Sequence, residues 1–125
     1  MRFPLLSLLL LLPSAFAMAQ PEISVDELKK KTENNTSAIL IDVRTPKEVE
    51  EGHIEGARNI NVDSRNFKKQ VKDLDRSRSY YLYCGSGVRS SRAARIMIDM
   101  GFDSVYSVQG GIKAWKAAGY PVEKD

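Results

Sequence analysis

Cys84 is the only cysteine in the chain, and Gly85-Ser86-Gly87-Val88-Arg89-Ser90 follow it directly. Two glycines permit torsions that turn successive N–H groups toward one point, and a helix starting just afterwards adds the unpaired donors of its first turn. Such a stretch is an anion cradle with a sulfur at its centre. An ordinary thiol, with a pKa near 8.5, is only about 3% ionised at pH 7. A downward shift of about two units, worth about 2.7 kcal/mol, makes it mostly thiolate, and oriented amides with a helix end can supply that much. Cys84 is therefore read as an activated nucleophile rather than a small buried hydrophobe. Arg89, fixed in charge and rich in donors, either holds an oxyanion beside the sulfur or defines the loop.

Other candidates read as support. Asp42 is expected to pair with a neighbouring arginine such as Arg44 rather than act as a general base. His53, the single histidine, sits between Gly52 and Ile54 in a predicted turn, where a hydrogen-bonded structural role is expected. No ligand cluster suggests zinc. Ser86 and Ser90 lack a nearby histidine, so donation to the sulfur or helix capping is expected of them rather than nucleophilic attack. Tyr80, Tyr81, Tyr83 and Trp115 are assigned to the core.

The elements that must position these residues are short and alternate. Ser24 and Glu27 form a capping box ahead of a helix from Val25. Ala38 to Val43 is an apolar, branched run of the kind buried on both faces of a parallel sheet, with Asp42 near its end. Thr45, Pro46 and Glu48 start a second helix that runs to about Glu51, and Gly52 ends it. A strand is predicted over 59–62, then a helix capped by Ser64 that carries Phe67, Val71 and Leu74. Tyr80 to Tyr83 is a strand that stops at Cys84. A helix from Ser90 to Gly101 follows, then a strand over 104–108, a Gly110-Gly111 turn and a helix over 112–118. This order predicts an α/β fold: a mostly parallel sheet of four or five strands, with helices on both faces. Ligands in such sheets sit beyond the carboxyl ends of the strands, where Asp42 and Cys84 both fall.

The chain has 125 residues, 42% of them hydrophobic, with 19 basic and 16 acidic side chains for a net charge of +3. That allows one compact domain and excludes a disulfide framework or a disordered chain. Basic and acidic residues are interleaved, as in Asp73 to Arg78, so a nucleic-acid partner is not expected. Met1-Arg2, the apolar run Leu5 to Leu12 and the small residues Ala17 and Ala19 read as a signal peptide over residues 1–19, with cleavage after Ala19 or after Ala17. The run is too short for a retained anchor, since a spanning helix needs about 20 apolar residues. Residues 20–125 are the expected domain, exported and, in a host with an outer membrane, periplasmic. Acceptor sequons within Asn34-Asn35-Thr36-Ser37 matter only where the host glycosylates exported proteins.

Cys84 to Ser90, together with Asp42-Val43-Arg44, Glu51 to Ala57, Gly110-Gly111-Ile112 and Trp115 to Pro121, resembles a single-domain rhodanese from Ile23 to Val122, most of all the small exported ones. One departure is Gly85, where larger two-domain members often carry arginine. The resemblance implies a sulfurtransferase: Cys84 takes the outer sulfur of a donor such as thiosulfate, becomes a persulfide and passes the sulfur to a thiophilic acceptor, cyanide or a thiol. Gly85, Ser86, Gly87, Val88 and Arg89 would then form the substrate cradle, with no metal or cofactor. Cysteine-dependent phosphatases resemble this scheme but place five residues between cysteine and arginine, whereas Cys84 and Arg89 enclose four. A binding or sulfur-sensing module without turnover is the alternative from another class. A thiol–disulfide oxidoreductase would need an external thiol, because no second cysteine is present.

Overall fold

The computed structural model describes residues 1–4, 21–34 and 37–125. The leader-like run, both cleavage sites, and Asn35-Thr36 of the sequons lie outside the described residues. Among the described residues, no helix is long and apolar enough to cross a membrane.

Among the described residues, five strands and five helices alternate: β1 (Glu22–Ile23), α1 (Val25–Asn34), β2 (Ile39–Asp42), α2 (Pro46–Glu50), β3 (Arg58–Asn59), α3 (Phe67–Val71), β4 (Ser79–Tyr83), α4 (Val88–Asp99), β5 (Ser104–Val108) and α5 (Gly111–Ala117). The strands form one sheet in the order β1-β5-β4-β2-β3, and every pairing is parallel. β4 is central. Its side chains alternate: Tyr80, Leu82 and Cys84 join the cluster beneath α3 and α4 with Phe67, Val71, Ala93, Ala94 and Met97. Tyr81 and Tyr83 point the other way, to Leu28, Ile112 and Trp115 of α1 and α5. The sheet is thus covered on both faces, which is why β2 and β4 carry continuous apolar runs.

Local signals explain most boundaries. The Glu27 N–H donates to Ser24 Oγ at 3.1 Å, and the Glu48 N–H to Thr45 Oγ1 at 3.3 Å, with Pro46 in the first turn of α2. Four expectations need correction. The strand predicted over 59–62 is only Arg58–Asn59, because its partner β2 stops at Asp42; the Ile60 and Val62 N–H groups still reach the carbonyls of Asp42 and Val43. Ser64 does not cap α3. Its Oγ accepts from the Asn66 N–H in a turn before the helix, and Asn66 is the N-cap. α4 begins at Val88, since Gly87 at φ 107° is its cap and Ser90 already lies inside it. α5 spans Gly111–Ala117, one residue earlier than expected. β1 was not anticipated: two residues carry no periodicity, and pairing with β5 alone defines it.

Candidate active site

Cys84 follows the last residue of the central strand, so the sheet delivers its sulfur to the carboxyl end, against the first turn of α4. The side chain is buried, with 1% of its surface exposed. The Gly87 N–H donates to Sγ at 3.1 Å and the Ser90 N–H at 3.4 Å, while Ser90 Oγ lies 3.6 Å away. Burial pushes the thiol pKa up, but the Ser90 hydroxyl and the amides of Ser90, Gly87 and Ser86 outweigh it, and the net direction is downward. These donors favour the ionised form of the sulfur over the neutral thiol. Of the two loop glycines, Gly87 alone uses a left-handed torsion; it turns the chain into α4 and aims its own amide at the sulfur.

The loop is clamped from below by the start of α5. The Ile112 N–H donates to the Cys84 carbonyl at 2.9 Å and the Lys113 N–H to the Gly85 carbonyl at 3.2 Å. Gly111, at φ 58°, allows that approach: a Cβ there would fall 2.4 Å from the Cys84 carbonyl oxygen. The Gly110-Gly111 pair is therefore a close-packing device as well as a turn.

Arg89 forms a two-pronged pair with Glu48, Nη1 to Oε1 at 2.7 Å and Nη2 to Oε2 at 2.9 Å. Its guanidinium holds the Glu48 pKa down to about 2. The pair ties α2 across the loop, and Arg89 still acts electrostatically on the sulfur. Glu48 is a residue that sequence reasoning assigned only to capping. The signal lay in a carboxylate facing the cradle, but a partner 41 residues away leaves no local trace.

Asp42 and Arg44 pair as expected. Arg44 Nη2 reaches Asp42 Oδ2 at 2.7 Å and the Gly52 carbonyl at 2.8 Å, its Nε reaches Oδ1 at 3.0 Å, and both side chains are buried. The guanidinium also lies over the Tyr83 ring, 5.6 Å from its centre, and Tyr83 Oη accepts from the Ile54 N–H. Burial, with Asp42 adding to it, pushes the Tyr83 hydroxyl pKa up, so the phenol stays neutral. This buried knot fixes the 43–54 segment from which α2 presents Glu48. His53 stands outside the cradle. Its main chain exchanges two hydrogen bonds with Glu123, and Nε2 contacts Asp125 Oδ1 at 3.0 Å. That is the structural role expected of it.

Ser86 and Val88 are exposed on the rim, Gly85, Gly87 and Arg89 are partly buried, and Cys84 and Ser90 are buried at the floor. The structure thus brings all six site residues of the sequence reading together, and leaves Asp42, Arg44 and His53 outside the donor ring. Among the described residues no group of three or more His, Cys, Asp or Glu side chains is placed to hold a metal.

Comparison with known proteins matches the family model for a rhodanese-like domain to residues 24–118. The chain is 34% identical over 110 residues to a thiosulfate sulfurtransferase, GlpE, of Pseudomonas putida, covering 88% of this chain and 93% of that protein. It is 44% identical over 78 residues to the uncharacterized protein YqhL of Bacillus subtilis, 62% of this chain, and spans only 60% of that relative's length. Among solved structures, a rhodanese-like domain from Anabaena superposes with a TM-score of 0.77 at 28% identity, covering 86% of this chain and 81% of that one. With a family model across most of its length, relatives named sulfurtransferases and a five-stranded parallel sheet presenting a cysteine cradle, the chain belongs to the rhodanese family.

Proposed function

We propose that the protein is a sulfurtransferase that carries sulfane sulfur on Cys84, with thiosulfate as a donor and cyanide or a thiol as the acceptor. The observation that carries this reading is the ring of donors on a single buried sulfur: amides of Gly87 and Ser90 at 3.1 and 3.4 Å with the Ser90 hydroxyl beyond them. The thiolate attacks the outer sulfur of thiosulfate; a sulfur–sulfur bond forms to Cys84 while the bond to the sulfonate sulfur breaks, and sulfite leaves with the electron pair. The product is a persulfide anion. Cyanide then attacks the outer sulfur, leaves as thiocyanate and returns the thiolate, so electrons and charge balance without a metal, an external oxidant or a proton donor.

The donors that favour the thiolate also suit the persulfide, because both place negative charge within reach of the same main-chain N–H groups. Arg89 contributes charge at the rim while Glu48 keeps it in place. Four residues between Cys84 and Arg89 make a tight loop, which favours a single sulfur atom over a tetrahedral oxyanion. The test is a comparison under one set of conditions: thiocyanate formed from thiosulfate and cyanide against hydrolysis of an aryl phosphate. Sulfur transfer without phosphate hydrolysis is expected, and phosphate hydrolysis alone would overturn the assignment. A module that only senses or binds sulfur would show neither turnover.

A further inference from the structure

Behind the Ser90 hydroxyl stand two further hydroxyl groups, those of Ser107 and Ser91, that the sulfur-transfer reading does not use. Ser90 Oγ is fully buried and has three neighbours: the sulfur at 3.6 Å, the Gly87 carbonyl at 3.1 Å and Ser107 Oγ at 2.7 Å. Ser91 Oγ in turn donates to Ser107 Oγ at 3.3 Å. Ser107 is itself buried, on β5 with Val105 and Val108 near it in the strand. A hydroxyl there costs free energy unless it is hydrogen-bonded, and its side chain is turned to α4 and Ser90.

A serine hydroxyl has one proton to give. Ser90 can donate to the sulfur, to the Gly87 carbonyl or to Ser107, but to one of them at a time. If Ser91 donates to Ser107 and Ser107 to Ser90, the proton of Ser90 is left for the sulfur, and each dipole in the row points at the negative charge. Hydrogen bonds to an ionised acceptor are about twice as strong as neutral ones, and aligned bonds strengthen one another. Ser107 and Ser91 also line a shallow cleft of about 480 Å³ that Cys84 does not touch, so the outer end of the row meets solvent and the inner end does not.

We propose that Ser107 is a positioning residue for the nucleophile: with Ser91 behind it, it orients the Ser90 hydroxyl to donate to the anionic sulfur of Cys84. The inference rests on reading Cys84 as the reacting sulfur. The charged group that faces this sulfur is Arg89 of α4, paired with Glu48 of α2. Asp42 and Arg44, after β2, satisfy each other, while β5 brings the Ser107 hydroxyl and α5 its main-chain amides. None of these charges is altered by a change at Ser107 or Ser91.

The test is the pH dependence of alkylation of the protein's single thiol by iodoacetamide, in the parent, Ser107→Ala, Ser107→Thr and Ser91→Ala, with circular dichroism to check folding. Ser107→Ala should move the midpoint upward by about half a unit to one unit, a three- to ten-fold slower reaction at fixed pH below the midpoint. Threonine, which keeps the hydroxyl, should restore the parent midpoint, and Ser91→Ala should give a smaller upward shift. A parent-like midpoint in folded Ser107→Ala overturns the proposal, as does a threonine variant shifted as far as alanine, which would mean that only packing matters. If Ser107→Ala does not fold, Ser91→Ala decides, and an unshifted midpoint there is a refutation. Alkylation needs no sulfur donor, so failure of sulfur transfer in the parent would defeat the proposed function while leaving this result to stand or fall separately.

Discussion

A methyl group added at Gly111 measures how much the clamp beneath the cysteine loop contributes. The residue sits at φ 58°, where an L side chain costs about 1 kcal/mol. Its Cβ would lie 2.4 Å from the Cys84 carbonyl oxygen and 2.7 Å from the carbonyl carbon and oxygen of Gly85. Those are backbone atoms and cannot rotate aside, so the loop must retreat by about 1 Å to reach ordinary contact. Retreat on that scale breaks the Ile112 and Lys113 hydrogen bonds to the two carbonyls, each worth about 1 kcal/mol. The expected loss is about 3 kcal/mol, split between global stability and displacement of the sulfur from its donors. Gly119→Ala is the control, because Gly119 has φ 81° but nothing within 4 Å of an added Cβ, leaving only the torsional cost of about 1 kcal/mol. Urea unfolding and iodoacetamide alkylation should therefore separate the two: Gly111→Ala loses about 2 kcal/mol more and its thiol reacts more slowly at neutral pH, while Gly119→Ala keeps parent thiol reactivity. Equal destabilisation of the two variants, with unchanged thiol reactivity in both, would refute the clamp.

Cys84→Ser should keep the fold and lose sulfur transfer; steady-state thiocyanate formation checks it, and retained transfer contradicts the assignment. Arg89→Ala should raise KM for thiosulfate more than it lowers stability, which kinetics and a melting curve on the same sample compare. Glu48 has its pKa depressed by Arg89, so its contribution is present above its ordinary value near 4.5 and disappears as pH falls toward about 2. With both side chains about a third exposed, that contribution is about 1 kcal/mol, and Glu48→Gln should flatten this part of the acid-unfolding profile. His53 is shifted the opposite way, chiefly by its hydrogen bond to Asp125. Its contribution is complete below the ordinary histidine range and fades as pH rises through the elevated value; Asp125→Asn should lower that pKa in an NMR titration.

The parts legible in the sequence are those set by neighbours along the chain. An apolar run ending in Asp42, a cap at Thr45 with Pro46 behind it, and a strand halted by Cys84-Gly85 each act within a few residues, and each element stands close to its expected place. The parallel sheet follows from the alternation of these elements, since parallel neighbours need a crossover between them. What the chain hides is set by distant partners. Glu48 reads as a cap until α4 brings Arg89 to it, and β1 has meaning only beside β5. Ser107 looks like one of two serines in β5, and its hydrogen bonds appear only where α4 places Ser90 and Ser91 against it. Gly111 is plain as a turn residue, but its second task, letting α5 approach the cysteine loop, depends on main-chain hydrogen bonds between residues 28 apart in number, Ile112 with Cys84 and Lys113 with Gly85.

Mass spectrometry of the intact protein tests the central claim most directly. After treatment with thiosulfate and removal of excess donor, the mass should rise by one sulfur atom, located on the peptide that contains Cys84, and cyanide should return it to the starting value with an equal amount of thiocyanate. A protein that stays at its starting mass under these conditions, or a Cys84→Ser variant that gains the same sulfur, would contradict the account.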